Sequence, residues 1–378
     1  MRLVSLSAAG YRSLRSIRLD IGQVSLFVGE NGVGKSNLYR ALQLIRAAAD
    51  GSFAREVARE GGMESVLWSG RRPAGKPVRI ALEAGFEDGA GRGFRYSIEA
   101  GLPPPASAGF LFEPHVKQEM VSLAAGRRTI ELMHRNGPAV IARDADGRRA
   151  EEPLRLLNAE TAFAALGSSG SHPEVASLMR ATLGWRFYHG FRSDAGSPLR
   201  RPSLAVTAPM LDESGENLAA VFATLAHIRG DTTDLDRCVS DAFGGARLDI
   251  PVPGDTASFG LRPAEFPQRV FRPEELSDGQ IRFLGLAGAL LSYRLPELVA
   301  LNEPETSLHD SMLPALAGMI ARAAERTQVW VVTHSARLAS LIADETGARV
   351  MVVVRENGAT GIAGMRLGGG FADEADED

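Results

Sequence analysis

The sequence predicts an α/β fold with a mixed-sheet core, an antiparallel β subdomain and a helical insertion or lid. Three observations predict it. An apolar run at residues 24–28 leads through a glycine loop into a helix-like segment at 37–48. Residues 79–141 hold short runs of alternating polarity separated by Gly, Pro and Asp clusters, the pattern of an antiparallel sheet. In the last third, near-continuous apolar strands alternate with helices, the pattern of a parallel sheet covered on both faces.

Taken in order, residues 3–7 and 17–21 alternate in polarity and flank Gly10-Tyr11-Arg12-Ser13-Leu14, reading as two short strands. The strand, glycine loop and helix follow. Runs at 79–84, 94–100, 129–133 and 139–141 supply the antiparallel part, with Pro103-Pro104-Pro105 as a loop inside it. Helices are expected at 152–166 and 173–183, joined by a Gly/Ser-rich stretch, and then an aromatic strand at 185–191. A Pro/Arg-rich loop at 192–209, helices near 217–228 and 231–243 and turn-rich short strands form the insertion. The closing part reads helix 279–293, strand 298–301, helix 311–324, strand 328–333, helix 337–343 and strand 349–354. The expected domains are a loop-bearing lobe with the β subdomain at 1–150, a helical lid with connecting strands at 151–273, a C-terminal lobe at 274–368 and an acidic tail without structure at 369–378.

A chain of 378 residues suffices for one large domain or two ordinary ones, and 44% hydrophobic with 23% charged residues is ordinary for a soluble globular protein. No stretch approaches the ~20 apolar residues of a membrane span. Residues 1–6 read as a strand, without a signal peptide's apolar region and cleavage site. One cysteine, Cys238, excludes an internal disulfide and fits a reducing, cytoplasmic setting, where its expected role is packing within a helix. A net charge of −4 gives no general attraction to nucleic acid. Contact with DNA would rest on local pairs such as Arg71-Arg72, Arg127-Arg128 and Arg200-Arg201, each more readily read as a solvated loop in a chain this rich in arginine.

Gly29-Glu30-Asn31-Gly32-Val33-Gly34-Lys35-Ser36 matches G-x-x-x-x-G-K-[ST], the loop of P-loop NTPases. Its glycines let backbone amides surround phosphates, the lysine meets the β/γ-phosphates and the hydroxyl ligates Mg²⁺. The helix that follows adds the partial positive charge of its N-terminus. Lysine occurs only at positions 35, 76 and 117 of this arginine-rich chain, yet one of the three holds the phosphate position. A compact ammonium suits phosphates wrapped closely by backbone.

Leu298-Val299-Ala300-Leu301-Asn302-Glu303-Pro304 is an apolar strand ending in polar residues, where a P-loop ATPase holds its Mg²⁺ shell and its water-activating carboxylate. A buried strand ending at a turn would also show Asn and Pro, but Glu305 and the strand downstream go beyond that. Residues 328–333 lead into His334-Ser335, placing a histidine at the C-terminal end of a parallel strand, the edge where ligands collect. Leu276-Ser277-Asp278-Gly279-Gln280 precedes a long helix, so Ser277 or Asp278 reads either as an N-cap or as part of a nucleotide site.

The ordered set of these four segments resembles the ABC-type ATPases: Walker A, signature, Walker B with its glutamate, then a switch histidine. Within that class it resembles the RecF/SMC/Rad50-like branch, and most closely the bacterial AAA-family (AAA_21-like) predicted ATPases that lack coiled coils. Tyr11-Arg12-Ser13 is similar to that branch's aromatic-basic-serine element. The signature is Ser-Asp-Gly-Gln, and Glu303-Pro304-Glu305-Thr306-Ser307-Leu308-His309 resembles its Glu-Pro-Glu-x-x-Leu-His run. Trp185-Arg186-Phe187-Tyr188-His189-Gly190-Phe191 and the Arg-Ser-Asp that follows are also similar to that subfamily.

The resemblance implies a P-loop NTPase with an ABC-ATPase-like head that binds ATP and Mg²⁺. It implies nucleotide contacts from Asn31, Gly32, Val33, Gly34, Lys35, Ser36 and Asn37, with Arg12 touching phosphate. Ser36 and Asn302 would serve the metal, Glu303 would polarise the attacking water, and His334 would contact the γ-phosphate. Ser277 and Gly279 would approach the nucleotide of a second subunit, giving an ATP-dependent homodimer with two ATPs sandwiched in it. Two positions depart from the pattern: Asn302 stands where Walker B has aspartate, which implies weaker metal binding and slow turnover, and Asp310 replaces a common proline. The expected function is ATP hydrolysis in DNA repair, chromosome maintenance or defence. The alternative is an ATP-dependent switch that hydrolyses little and engages a separate effector protein. A membrane transporter's ATPase fits less well, because no glutamine loop is identifiable, the signature differs and the insertion is large.

Overall fold

The computed structural model describes residues 1–70, 78–104, 109–126 and 128–365. Arg71, Arg72, Pro105, Arg127 and the acidic tail at 369–378 lie outside the described residues. The chain divides into two compact units: residues 1–22, 30–185 and 352–378 form the first, and residues 23–29 and 186–351 the second.

The first unit is built on an eight-stranded antiparallel sheet. Its strand order is Leu14–Asp20, Arg2–Tyr11, Arg79–Glu87, Gly93–Gly101, His115–Ala125, Arg128–Asn136, Ala139–Arg143 and Arg149–Glu151. Alternation sets one face: Phe94, Tyr96, Ile98 and Ala100 are buried in turn along one strand. Against this apolar side pack Trp185, stacked on Phe86 at 5.8 Å, and Phe163, stacked on Tyr96 at 4.3 Å. The helix Lys35–Asp50 buries Leu38, Ala41, Leu42, Ile45 and Ala48 at helical spacing and stops at Gly51, whose φ of 77° is the left-handed conformation that glycine adopts freely. A fully buried ion pair, Arg135 with Glu119 at 3.3 Å, lies at the edge of this core.

The sequence reading omits the strand His115–Ala125. Its pairing with the preceding strand shifts register between Glu99 and Ala100, which pair with Gln118 and Val116 and leave Lys117 as an extra residue, a bulge that breaks the alternation by which a strand is recognised. The helix expected at 152–166 is corrected: the helix spans Ala162–Ser168. Tertiary partners take the backbone groups that an earlier helix would need. Arg135 donates to the carbonyls of Leu157 and Glu160, Val116 N donates to Asn158 O, and the Glu119 carboxylate accepts from the amides of Ala162 and Phe163. A helix beginning at Ala162 therefore satisfies the buried carboxylate.

The second unit holds four parallel strands in the order Arg186–His189, Leu298–Asn302, Gln328–Thr333 and Val24–Val28. Their near-continuous burial is the mark of an enclosed parallel sheet, with Phe27 and Trp330 in ring contact at 4.4 Å. The helices Asp278–Leu291, Leu313–Ala324 and Ala336–Thr346 bring Phe283, Leu284, Leu316, Ile320 and Leu338 into the same core as Leu26, Val299 and Val331. In this register Asn302 pairs with Val332 and Thr333 with Val28, so Gly29, Glu303 and His334 all follow strands that end at one edge. The last long strand, Val350–Glu356, begins in this unit and ends in the first, where Asn357 and Gly358, both at positive φ, turn the chain into Ala359–Ile362.

Candidate nucleotide site

In the first unit, the glycine loop opens the 16-residue helix Lys35–Asp50. Gly32 and Gly34 have φ of 83° and 100°. At Gly34 a Cβ would lie 2.0 Å from the Thr360 hydroxyl and 2.5 Å from that of Ser13, so glycine is required by contact as well as by conformation. Asn31, Gly32 and Ser36 are exposed, and Lys35 is buried with its Nζ donating to Glu30 O at 2.7 Å. Asn37 turns its amide onto Ser13 at 2.7 Å. An exposed first turn with a lysine curled over the loop is a ready anion site.

Arg12 has a φ of 48°, and its amide donates to Val66 O at 2.7 Å. Its guanidinium grips Glu60 through Nε at 2.7 Å and a terminal nitrogen at 2.6 Å, and the Tyr11 hydroxyl donates to the same carboxylate. Burial, reinforced by Glu60, pushes the Tyr11 phenol far up, so it remains a donor throughout the accessible pH range. Arg12, expected to touch phosphate, is held here by a firm carboxylate partner.

In the second unit, Ser277 caps the helix Asp278–Leu291: its hydroxyl accepts from Gln280 N at 3.3 Å and Gln280 Oε1 accepts from Ser277 N at 2.9 Å. The capping reading is thus realised, with Ser277 still exposed. Gly279 passes so close to Ser307 that a Cβ would stand 2.7 Å from its carbonyl oxygen. The segment is anchored by Arg200, which is buried. Its guanidinium donates to Ser193 O at 2.9 Å, Pro273 O at 2.6 Å, Leu276 O at 2.7 Å and Asp278 at 2.9 Å. Arg200 is accordingly withdrawn as a DNA contact; its donors are committed to the signature segment.

Asn302 ends its strand with a buried Oδ1 that has no partner among the described residues. That orphaned neutral oxygen fits the role of holding a metal-bound water. No group of three His, Cys, Asp or Glu among the described residues could hold an ion alone, so a cation here would lean on phosphate oxygens, as Mg²⁺ commonly does. Glu303 sits at a φ of 49°, an uncommon conformation for this residue, with its amide donating to Val332 O at 2.7 Å. Its carboxylate is 3.9 Å from His334 Nδ1. Arg282, buried on the signature helix, donates to Glu303 O at 3.2 Å; burial lowers its pKa while Glu305 and Glu303 oppose that shift.

Glu305 is the residue the sequence reading leaves out of the site. One of its oxygens accepts from Thr333 Oγ1 at 2.6 Å, His334 N at 2.9 Å and Ser335 N at 3.2 Å, and lies 3.0 Å from His334 Nδ1. The signal for it was the second glutamate of Glu-Pro-Glu. A separate groove of 540 Å³ on the polar face of the antiparallel sheet, lined by Ser7, Glu83, Ser97, Glu99 and Met120, contains none of the loop residues.

A family model described as "AAA domain, putative AbiEii toxin, Type IV TA system" matches residues 24–122 and 260–340. Among solved structures, the SMC head domain from Thermotoga maritima shares 15% identity over 97% of this chain and 100% of that one, with a TM-score of 0.50. An SmcHead bound to the C-winged helix domain of ScpA shares 14% over 97% and 98%, with a TM-score of 0.54. The Smc head domain with a coiled coil and joint derived from Pyrococcus yayanosii shares 12% over 97% of each chain, at 0.53. No curated protein matches the chain. The fold is that of the SMC head ABC-type ATPase domains. Within that fold, residues 29–36 carry the P-loop motif. Among the described residues, no helix is long and apolar enough to cross a membrane.

Proposed function

We propose that this protein binds ATP with Mg²⁺ and hydrolyses it, two copies closing on two ATP molecules. The observation that carries the reading is the loop itself: positive-φ glycines and a curled lysine at the exposed start of a long helix. The amides of residues 31–37 and Lys35 take the β/γ-phosphates, with Arg12 contributing charge. Ser36 and, through water, Asn302 would hold Mg²⁺, which would supply neutralising charge at the phosphates. Glu303 polarises the attacking water, and His334 contacts the γ-phosphate. Ser277 and Gly279 meet the nucleotide of the second copy, so ATP joins the subunits and hydrolysis separates them. Positioning and charge neutralisation carry this chemistry, with little covalent work by the protein.

The neutral Asn302 favours slow turnover, which supports a second reading: an ATP-timed switch that engages a protein partner, as the SMC head above is bound to a domain of ScpA. DNA repair, chromosome maintenance or defence is the setting we propose for either form. The test is steady-state hydrolysis by the wild type, Lys35→Ala and Glu303→Gln, with and without linear duplex DNA, alongside the oligomeric state of Glu303→Gln with ATP. Turnover abolished by both changes, with an ATP-dependent dimer of Glu303→Gln, supports the ATPase. Wild-type turnover no higher than that of Lys35→Ala supports the switch.

A further inference from the structure

The glycine loop is fastened from outside by two hairpins, one near each end of the sequence. Thr360, buried on the hairpin strand Ala359–Ile362, donates its hydroxyl to Val33 O at 2.7 Å. A carbonyl cannot donate, so the Thr360 proton is committed there. The 2.6 Å contact between Thr360 and Ser13 must then be donated by Ser13, and the Asn37 amide must donate to Ser13. One directed chain runs from Asn37 through Ser13 and Thr360 to Val33. Thr360 N also donates to Ser13 O at 2.8 Å, and Arg355 on the same hairpin donates to Gly32 O at 3.2 Å.

We infer that Thr360, supported by Ser13 and Arg355, is a positioning residue for nucleotide phosphates. This rests on the ATP-binding reading above. No cis peptide occurs among the described residues, and in a trans peptide the C=O and N–H point in opposite directions. Holding Val33 O therefore turns the Gly34 amide away from the hairpin, and holding Gly32 O does the same for the Val33 amide. Adjacent amides held facing one way form the concave anion-binding surface that phosphate needs, set in place before the ligand arrives. The bare α-carbon of Gly34 is what allows the two hydroxyls to come so close.

The test pairs Thr360→Val, which keeps the shape and removes the hydroxyl, with Thr360→Ser, which keeps the hydroxyl. Binding of ATP and ADP is measured by calorimetry on the full chain, with Lys35→Ala as the blank and a thermal melt for each variant. Thr360→Val weakens both nucleotides by about tenfold, the scale of one well-placed hydrogen bond, while Thr360→Ser stays within about twofold of the wild type. In steady-state hydrolysis the KM for ATP rises by about the same factor, more than turnover at saturating ATP falls. Equal affinity for Thr360→Val and the wild type overturns the inference and leaves the ATP reading standing. A wild type that binds no better than Lys35→Ala overturns the ATP reading itself. If Thr360→Val does not fold, Arg355→Gln decides: weaker nucleotide binding at an unchanged melting temperature supports the brace, and unchanged binding ends it.

Discussion

One carboxylate oxygen of Glu305 lies 3.0 Å from His334 Nδ1 and accepts the main-chain amide of the same histidine at 2.9 Å. A carboxylate in that place makes Nδ1 the protonated nitrogen and leaves Nε2 as the one available to a ligand. Orientation by a neighbouring carboxylate is how histidines are commonly aimed at phosphate or metal. Glu305→Ala strands the buried Thr333 hydroxyl and two part-buried amides, and we expect about 2–4 kcal/mol of lost stability in chemical denaturation. Glu305→Gln keeps an acceptor and should cost less than half of that. If hydrolysis falls in Glu305→Gln while ATP affinity holds, the carboxylate acts through His334.

Arg200 should matter more to assembly than to nucleotide binding. Its partner Asp278 is largely exposed, so that ion pair contributes little; the three carbonyl acceptors dominate. Arg200→Ala is expected to cost about 2–3 kcal/mol and to loosen residues 273–278. In a Glu303→Gln background, sedimentation should show less ATP-dependent dimer, with ATP affinity of the monomer unchanged. Dimerisation at the wild-type level would show that the signature segment holds its shape without Arg200.

The buried pair of Arg135 and Glu119 predicts asymmetric costs. Burial works to raise the Glu119 pKa, while the amide of Ala162, Arg135 and Tyr96 favour the charge. Arg135→Met leaves that carboxylate without its cation and should lower stability by about 3–5 kcal/mol. Pairing it with Glu119→Gln should recover part of the loss. Urea melts of the two single variants and the double variant measure the coupling.

Cys238 should resist alkylation until the protein unfolds. Burial, with Asp241, Asp234 and Asp236 adding, pushes its thiol from 9.0 up to about 12. The folded chain holds this proton more tightly than the unfolded chain. That contribution is fully present below pH 9.0 and is lost as pH rises towards about 12. Iodoacetamide uptake at pH 8, with and without denaturant, checks the protection. Rapid labelling of the folded protein would mean that the helix Thr233–Ala242 opens locally.

The glycine loop, the parallel strands around Leu298–Asn302 and Gln328–Thr333, and the capped helix after Ser277 were legible because each rests on local pattern: periodicity, glycine placement and a polar residue before an apolar run. What escaped depends on distant partners. Nothing near residue 157 announces that Arg135 will take its carbonyl, and Arg200 looks like any loop arginine until four acceptors surround it. Asn357-Gly358 was a readable turn signal, and with it the strand carrying Thr360 could have been placed. The role of Thr360 could not, since its partners Ser13 and Val33 lie 347 and 327 residues away.

That separation also sets a schedule for synthesis. At ribosomal speeds of about 5–20 residues per second, the segment around Thr360 emerges roughly 15–65 s after the glycine loop. For that interval the nascent chain carries a phosphate-binding motif whose brace does not yet exist. Firm capture of ATP therefore waits until synthesis has passed Thr360, so a chain stopped short of it competes poorly for the cell's nucleotide pool.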